Sequence, residues 1–594
     1  MALSETNPGA ITCDGGFYLV WRYTVDMLDL KQALAGDIRE GIEAAVKAGE
    51  LPELKELPRI VVEWQDSGDR GDYASPVALR LASLVQGKPP LEIVKVIVEF
   101  MPKKEYIGRL TAGAPGFLNV WLNPGWLTAR LDNIVGADLC SVINGSGSKS
   151  VNLEFISANP TGPLTLGNVR TAFSVDTLGR VLTCAGYNVT REYYFNDAGG
   201  QVTRLGESVL RRILEAAEEK VEWPEGLYQG EYVKELAEVI KEGWRENEGK
   251  EFTRADLEDR KVIEKISEEA VGIMLGRIKQ TIDEVLKIKF DVWTSERSLR
   301  EDGIIEKMLK KLKEKGVTYT KNGAVYLKTT MFGDDQDRVL VKSDGEYAYI
   351  APDIGYHQSK YDRGFDHIVT VVGADHQGHL PKLRAAMEVL GNDVSKLRLV
   401  AAQWFRLIQG GKQIKLSKRA GQTVGPKDLI DEVGYDAARF FLVQHRLDTH
   451  MDFDLDLAKE QSERNPVYYV QYAYVRLQSI LRRAKQQGVV GRVGEVFDLT
   501  DNPALTHTHE LNLMRQLYRF PEVVGDIANT FDVHDLAYYA QEVARATHVF
   551  YRHVPVLAAG DDKLVNSRLQ LVLAARAVLG TVLDLIGIGK PDVM

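Results

Sequence analysis

The run Val151-Asn-Leu-Glu-Phe-Ile-Ser-Ala-Asn-Pro-Thr-Gly-Pro-Leu-Thr-Leu-Gly-Asn168 sets how the rest of the chain is read. Its apolar start, Val151–Ile156, predicts a buried strand, the Pro/Gly-rich stretch behind it a turn, and a helix is expected from about Asn168 to Ala185. Strand, glycine-rich turn and helix in that order open a nucleotide-binding α/β unit. A helix N-terminus presents free backbone N–H groups, and Gly162 and Gly167 let a phosphate approach the backbone. A plain turn between strand and helix is spelled the same way, so this motif alone does not assign a function.

Working outward, Val202 to about Ile288 is charged and helical in period, as in Leu210–Val221 and Arg260–Val285, and predicts a helical insertion with solvated faces. Strand-like runs resume at Ala324–Leu327, Val339–Val341, His367–Val372 and Leu397–Ala401. Two α/β halves around a helical insert then account for roughly residues 150–400, within a catalytic domain spanning 140–460. Upstream, 27–135 mixes helix with alternating segments such as Arg59–Trp64 and Gly116–Leu122, an α+β domain joined to the next by the Gly/Ser patch Asn144–Ser148. Residues 1–26 lack helical periodicity and carry no secretory pattern; they are read as a leader outside the fold, with Met27 as an alternative start. From 461 to 594 the chain predicts an α-helical bundle, with Val467, Val470, Tyr474, Leu477 and Leu481 on one stripe. The apolar stretch Leu569–Ile588 is interrupted by Arg576 and Asp584 and reads as a core helix, not a membrane span.

A second candidate site is the window Arg406–Lys427, which holds Arg406, Lys412, Lys415, Lys418, Arg419 and Lys427 and no acid. With Gly410-Gly411 at one end and Gly421 at the other, it suits a mobile loop that closes on a polyphosphate. In a chain of 74 basic and 84 acidic residues, net charge −10, such a window is unlike its surroundings. The three cysteines, Cys13, Cys140 and Cys184, form no CxxC pair, which argues against a disulfide framework or structural zinc and points to a reducing cytoplasm.

At these residues the chain resembles the class I aminoacyl-tRNA synthetases, specifically the arginyl type. The family's His-Ile-Gly-His signature falls on Thr165-Leu-Gly-Asn168 and its Lys-Met-Ser-Lys-Ser signature on Lys415-Leu-Ser-Lys-Arg419. Glu154-x-x-Ser-x-Asn-Pro160, Tyr193-Tyr-Phe-Asn-Asp-Ala-Gly199, Tyr349-Ile-Ala-Pro-Asp353 and Gly373-Ala-Asp-His-Gln377 resemble its arginine-type flanks. Asn465-Pro-Val-Tyr-Tyr-Val-Gln-Tyr-Ala473 looks like the entry to its anticodon-binding helices, and Gly71-Asp-Tyr73 and Gly113-Ala-Pro-Gly-Phe117 like its tRNA-contacting N-terminal domain. The resemblance implies a Rossmann-type catalytic core and a two-step reaction: arginine and ATP give arginyl-adenylate, and the arginyl group passes to tRNA(Arg). It implies Asp353 as guanidinium partner assisted by Tyr349, with Glu154, Ser157, Asn159 and Gln377 on the rest of the amino acid. Thr165, Gly167, Asn168, Lys415, Ser417 and Lys418 are the expected catalytic set; Gly162, Gly373 and Asp375 are expected toward ATP. Mg2+ is expected with ATP, and a monomer off the membrane is expected. No separate editing domain is required, because a forked cation is hard to counterfeit.

Both signature histidines are absent. A Thr hydroxyl and an Asn amide still donate hydrogen bonds, so Thr165 and Asn168 are expected to act as neutral donors. The alternative is a catalytically silent paralogue that binds tRNA or a protein partner; a class I enzyme for another amino acid is disfavoured by the acidic pocket. The net charge looks wrong for nucleic acid only in total. Residues 461–594 hold 14 bases and 14 acids, so the whole −10 lies in 1–460, and Arg464 to Gly494 contains six bases, among them Arg464, Arg476, Arg482 and Arg483, and no acid. Those arginines are the expected tRNA contacts, and binding is expected to be salt-sensitive and local.

Overall fold

The computed structural model describes residues 29–65, 70–85, 87–135, 138–143, 149–414, 424–489 and 503–594. The leader reading at 1–26, the patch at 144–148, Lys415, Ser417, Lys418, Arg419, Gly421 and Arg492 lie outside the described residues.

The core is a five-stranded sheet in the order Leu397–Ala402, His367–Gly373, Ser150–Glu154, Asn188–Phe195, Val292–Ser295. Every pairing is parallel. The chain enters in the middle, winds to one side through two strands, and later returns to build the other side. The winding direction reverses between Ser150–Glu154 and His367–Gly373, and the crevice beyond the carboxyl ends of those strands is where a doubly wound sheet binds ligands. The first strand stops at Glu154, two residues short of expectation, because Ile156 and Ser157 turn to φ +67° and +39°. A β-branched residue at positive φ is costly and persists only where the surroundings impose it. The following helix spans Leu166–Cys184 and is buried on nearly every side, including Arg170, Asp176 and Thr177. Burial works against the Asp176 carboxylate, but Arg439, Arg180 and Arg191 hold it below its ordinary range.

The expected strands at 324–327 and 339–341 do form, but not in this sheet. Thr318–Lys321, Ala324–Leu327 and Arg338–Val341 make a separate antiparallel sheet. The reason is local: Asn322-Gly323 adopts φ +52° and +79°, the mirror-image turn that joins antiparallel strands. Another glycine pair corrects the mobile-loop reading. Gly410-Gly411, φ +57° and +72°, is the turn of the hairpin Phe405–Gln409/Lys412–Ile414, which fixes the front half of the basic window.

The insertion comprises helices Gly200–Glu215, Glu231–Glu248 and Arg260–Gln280 around their own core of Leu205, Leu210, Leu236, Ile266 and Met274. The first ends at Glu215, six residues before the expected Val221. The N-terminal unit packs helices Leu30–Lys47 and Pro90–Phe100 with a four-stranded antiparallel sheet, in which the expected strand 59–64 is reduced to Glu63–Trp64. The C-terminal bundle runs from Pro466–Gln486 to Asp562–Ile586. Val467, Val470, Leu477 and Leu481 of the expected stripe are buried, and Tyr474 is half-buried against Gly580. Helix Asp562–Ile586 is long and apolar enough to cross a membrane, yet it is the bundle's central core element, with Leu571, Ala575, Val578 and Val582 fully buried.

The cysteine reading needs correction. Cys140 and Cys184 are joined as a disulfide, tying the linker to the end of the Leu166–Cys184 helix. Spacing tests for CxxC pairs see only neighbours in sequence, and these residues are 44 apart.

Candidate active site

Strand Ser150–Glu154 delivers the chain to the switch point, and the loop 155–159 turns over it. Tyr193 holds that loop: its hydroxyl donates to the Ala158 carbonyl at 2.9 Å and accepts from the Ala158 N–H at 3.0 Å. Ser157 Oγ donates to Glu154 at 3.2 Å and accepts from the Tyr194 N–H, while Asn159 links to Gln201 and Asn196. Glu154, Ser157, Asn159, Thr165, Gly167, Asn168, Tyr349, Asp353, Gly373 and Asp375 all line one cavity of about 310 Å³. Ten positions scattered between Glu154 and Asp375 thus converge at the carboxyl ends of the central strands.

The acids around the cavity differ in what already neutralises them. Glu154 is buried and takes Lys360 Nζ at 2.5 Å and the Thr370 hydroxyl at 3.0 Å. Glu192 holds Arg363 at 2.7 Å, and Glu296 holds Arg300 at 2.6 Å. Among the described residues, Asp353 pairs only with His379, Nε2 to Oδ2 at 2.8 Å, and Asp375 only with His376 at 3.4 Å. Glu154 therefore does not wait for a ligand to balance its charge, as an unpaired buried carboxylate would; of the three acids that line the cavity, Asp353 and Asp375 have no lysine or arginine partner among the described residues.

Asp353 sits in the first turn of helix Ile350–Asp362, whose N-cap is Tyr349. Asp353 therefore lies inside the helix and not at its N-cap, and it lines the cavity. Beside it, the Tyr194 hydroxyl donates to Glu296 at 2.8 Å, and its ring stacks on Tyr356 at 4.6 Å. Burial first, then Asp353 and Glu296, push the Tyr194 hydroxyl far up, so it stays a protonated donor. Burial and Lys360 keep His357 neutral, bridging the Asp353 carbonyl and Thr370.

On the opposite wall, Asn168 Oδ1 accepts both the Thr165 N–H at 2.9 Å and the Thr165 hydroxyl at 3.1 Å. The two residues that replace the histidines thus cap their own helix together, which turns the Asn168 amide NH2 into the outward donor and commits the Thr165 proton inward. Trp404, 54% exposed, lies over Gly167, where an added Cβ would meet its ring at 3.1 Å.

Not every expected residue arrives. Gln377 lines a neighbouring cavity, not this one. Gly162 lies under Tyr232 of the insertion, whose hydroxyl bonds to the Thr161 carbonyl at 2.9 Å. Arg476 is wedged between the rings of Tyr472 and Tyr551 and bonds to His548 at 2.7 Å; Arg482 reaches the Asp592 carbonyl at 3.0 Å. Arg464 pairs with Glu460 at 3.6 Å, and Arg483 is exposed. Sequence reasoning missed His379, Lys360, Tyr194 and Trp404. His379 stands two residues past a quoted motif and Tyr194 inside one, so these two were within reach; nothing in the sequence paired Lys360 with Glu154.

Three family models cover the chain in succession: "Arginyl tRNA synthetase N terminal domain" at 32–122, "tRNA synthetases class I (R), catalytic domain" at 131–454 and "DALR anticodon binding domain" at 470–594. An "Arginine--tRNA ligase" of Bacillus licheniformis is 38% identical over 566 residues, 95% of this chain and 99% of that one. The chain belongs to the arginyl-tRNA synthetases. A Bacillus subtilis arginine–tRNA ligase is 37% identical, covering 96% of this chain and all of its own. In fold, the chain matches arginyl-tRNA synthetase structures from Thermus thermophilus (TM-score 0.71, 22% identity, 95% of this chain and 100% of that one) and Plasmodium falciparum (0.73, 16%, 95% and 99%). The chain is thus a class I synthetase of arginine type, a ligase with ATP as a substrate, and the cavity at the switch point of its sheet lies inside the matched catalytic domain.

Proposed function

We propose that the 310 Å³ cavity activates L-arginine with ATP and transfers the arginyl group to the terminal ribose of tRNA(Arg). The observation that carries the reading is the acid inventory: Glu154, Glu192 and Glu296 have lysine or arginine partners, while among the described residues Asp353 has only a histidine. Asp353 receives the guanidinium, displacing His379, with Tyr349 at the rim and the Tyr194 hydroxyl alongside. Ser157 and Asn159 face the amino-acid backbone, and Glu154 acts through Lys360 and Ser157 to hold the loop in place.

Across the cavity, Asn168 donates its amide to ATP at the start of the Leu166–Cys184 helix, whose N-terminal N–H groups favour phosphate. Gly167 and Trp404 bound a flat slot suited to the purine, with Gly373 and Asp375 toward the ribose. Lys415, Ser417 and Lys418 close on the pyrophosphate side, and Mg2+ enters with the ATP phosphates. The carboxylate of arginine attacks the α-phosphorus and pyrophosphate leaves; the protein positions reactants and balances charge, with no covalent nucleophile. The bundle face around Arg464 and Arg483 meets the RNA. We place the enzyme in the cytoplasm as a monomer.

Substituting Asp353→Asn tests the assignment. Loss of a charged partner from a guanidinium costs about 2–5 kcal/mol, so KM for arginine should rise by at least thirtyfold while KM for ATP stays within a few-fold. An unchanged KM for arginine contradicts the assignment. Absence of aminoacylation by the unmodified chain, with cognate tRNA present, would favour the silent paralogue.

A further inference from the structure

Behind the wall of the reaction cavity lies a second, larger one, about 640 Å³ against about 310 Å³. The two share Val371, Leu380 and Gln403. The second is an open cleft bounded by the far side of the Leu166–Cys184 helix, by the edge strand Leu397–Ala402, and by the corner Phe531–His534 of the helical bundle. No step of arginine activation uses it, and Gln377, which the reaction cavity leaves out, points to it.

Its chemistry is lopsided. Three guanidiniums, Arg384, Arg398 and Arg446, line it against two carboxylates, Asp448 and Asp532. Both carboxylates belong to Arg446, at 3.3 Å and 3.1 Å. Arg384 spends its bonds on the Leu397 and Val394 carbonyls, and Arg398 lies over the Phe531 ring at 5.1 Å; among the described residues neither has a carboxylate within 4.0 Å. Beneath them Arg170 is buried and, among the described residues, bonds only to the carbonyls of Gln403, Arg446 and Thr449, adding positive potential to the floor. Ser174 lines the same cavity, is 1% exposed, and its hydroxyl has no hydrogen-bond partner among the described residues; His534 Nδ1 is likewise buried and unmatched there. Buried polar atoms are almost always bonded, so each unmatched one calls for a partner. The remaining wall is apolar, with Leu178, Val369, Leu399 and Val400.

We propose that this cavity is a binding site for a small organic phosphate, a phosphomonoester on an apolar or aromatic body, separate from the arginine and ATP sites. Two guanidiniums without acids match a dianion, and the forked N–H groups of arginine suit phosphate oxygens. The apolar wall and the Phe531 ring take the body, and Ser174 supplies a buried hydroxyl. A volume near 640 Å³ is in the range of cofactor-sized sites.

The full chain, saturated with arginine and a non-hydrolysable ATP analogue, is titrated by calorimetry with 1-naphthyl phosphate. Saturable one-to-one binding is expected, at least tenfold tighter than for 1-naphthol or inorganic phosphate alone. Arg398→Met keeps an unbranched apolar side chain but removes the charge, and should weaken binding at least tenfold, as should Arg384→Met; either variant serves if the other fails to fold, with melting temperature as the check. No saturable binding by the unmodified chain, equal affinity for 1-naphthol, an affinity unmoved in the folded variants, or loss of binding when the reaction cavity is filled would each overturn the proposal.

Discussion

At Asn168 and Thr165, one hydrogen bond decides which substitute takes over from a histidine. The Thr165 hydroxyl gives its proton to Asn168 Oδ1, so the outward donor is the Asn168 amide. Asn168→Ala should therefore lower kcat for adenylate formation by about 10²–10³-fold, the usual loss when one transition-state donor is removed. Thr165→Ala loses mainly a cap contribution of about 1 kcal/mol of stability, and less than tenfold in kcat. Equal effects, or turnover unchanged when both are alanine, would contradict the division of labour. At this scale the site was partly legible. The resemblance singled out Asp353, and the structure places it on the cavity wall. Glu154 was over-read, because the Lys360 that neutralises it is 206 residues away and carries no local signal. Gln377 lines the neighbouring cavity for a comparable reason: chemistry is visible in the residue type, but direction is set by tertiary packing.

Among the elements, those the sequence revealed were the ones with a strong period or a strong turn. The Leu166–Cys184 helix was expected to within two residues at either end, and the insertion was expected to be helical, since their apolar spacing is long and regular. Assignment of 324–327 and 339–341 to the main sheet failed because a strand's sequence does not say which sheet it joins. The Asn322-Gly323 pair was an available signal that these strands return antiparallel. The Cys140–Cys184 link gives an element-scale prediction. Closing a loop of 44 residues removes chain entropy worth roughly 4 kcal/mol from the unfolded state. Cys140→Ser should thus lower the melting temperature of the oxidised protein, and leave that of the fully reduced protein nearly unchanged. An equal loss under both conditions would mean that the thiol's packing, not the link, is what matters.

For the whole molecule, the N-terminal unit and the bundle are held together by acids that composition cannot distinguish from surface charge. Asp72 meets Arg515 at 2.7 Å, and the Tyr73 hydroxyl donates to Glu522 at 2.5 Å; both contacts come from the Gly71-Asp-Tyr73 motif. Gly71 is required there, with φ +92° and space for a Cβ blocked by the Val120 carbonyl at 2.6 Å. A motif read as a mark of the tRNA-contacting domain is thus also the seam between domains. Glu522 is 5% exposed, and burial lifts its carboxyl to about 7, against the opposing effects of Tyr73, Lys31 and Arg519. The folded state therefore keeps a proton that the unfolded state has released above its ordinary value near 4.5. Stability should fall as pH rises from about 4.5 to about 7, by roughly 3 kcal/mol in all, and this contribution should then level off. Glu522→Gln should flatten that part of the profile in denaturant titrations; a variant as pH-dependent as the parent would assign the slope to other groups.

Charge at this scale also reconciles an acidic chain with an RNA substrate, since the −10 lies in 1–460 and the bundle is neutral with one acid-free basic stretch. The account as a whole rests on arginine being the amino acid activated. Pyrophosphate exchange into ATP, run with each amino acid in turn and with and without tRNA, tests this most directly. The account predicts exchange with arginine in the presence of tRNA and none with lysine or glutamine; exchange with lysine or glutamine, or none with arginine when tRNA is present, would contradict it.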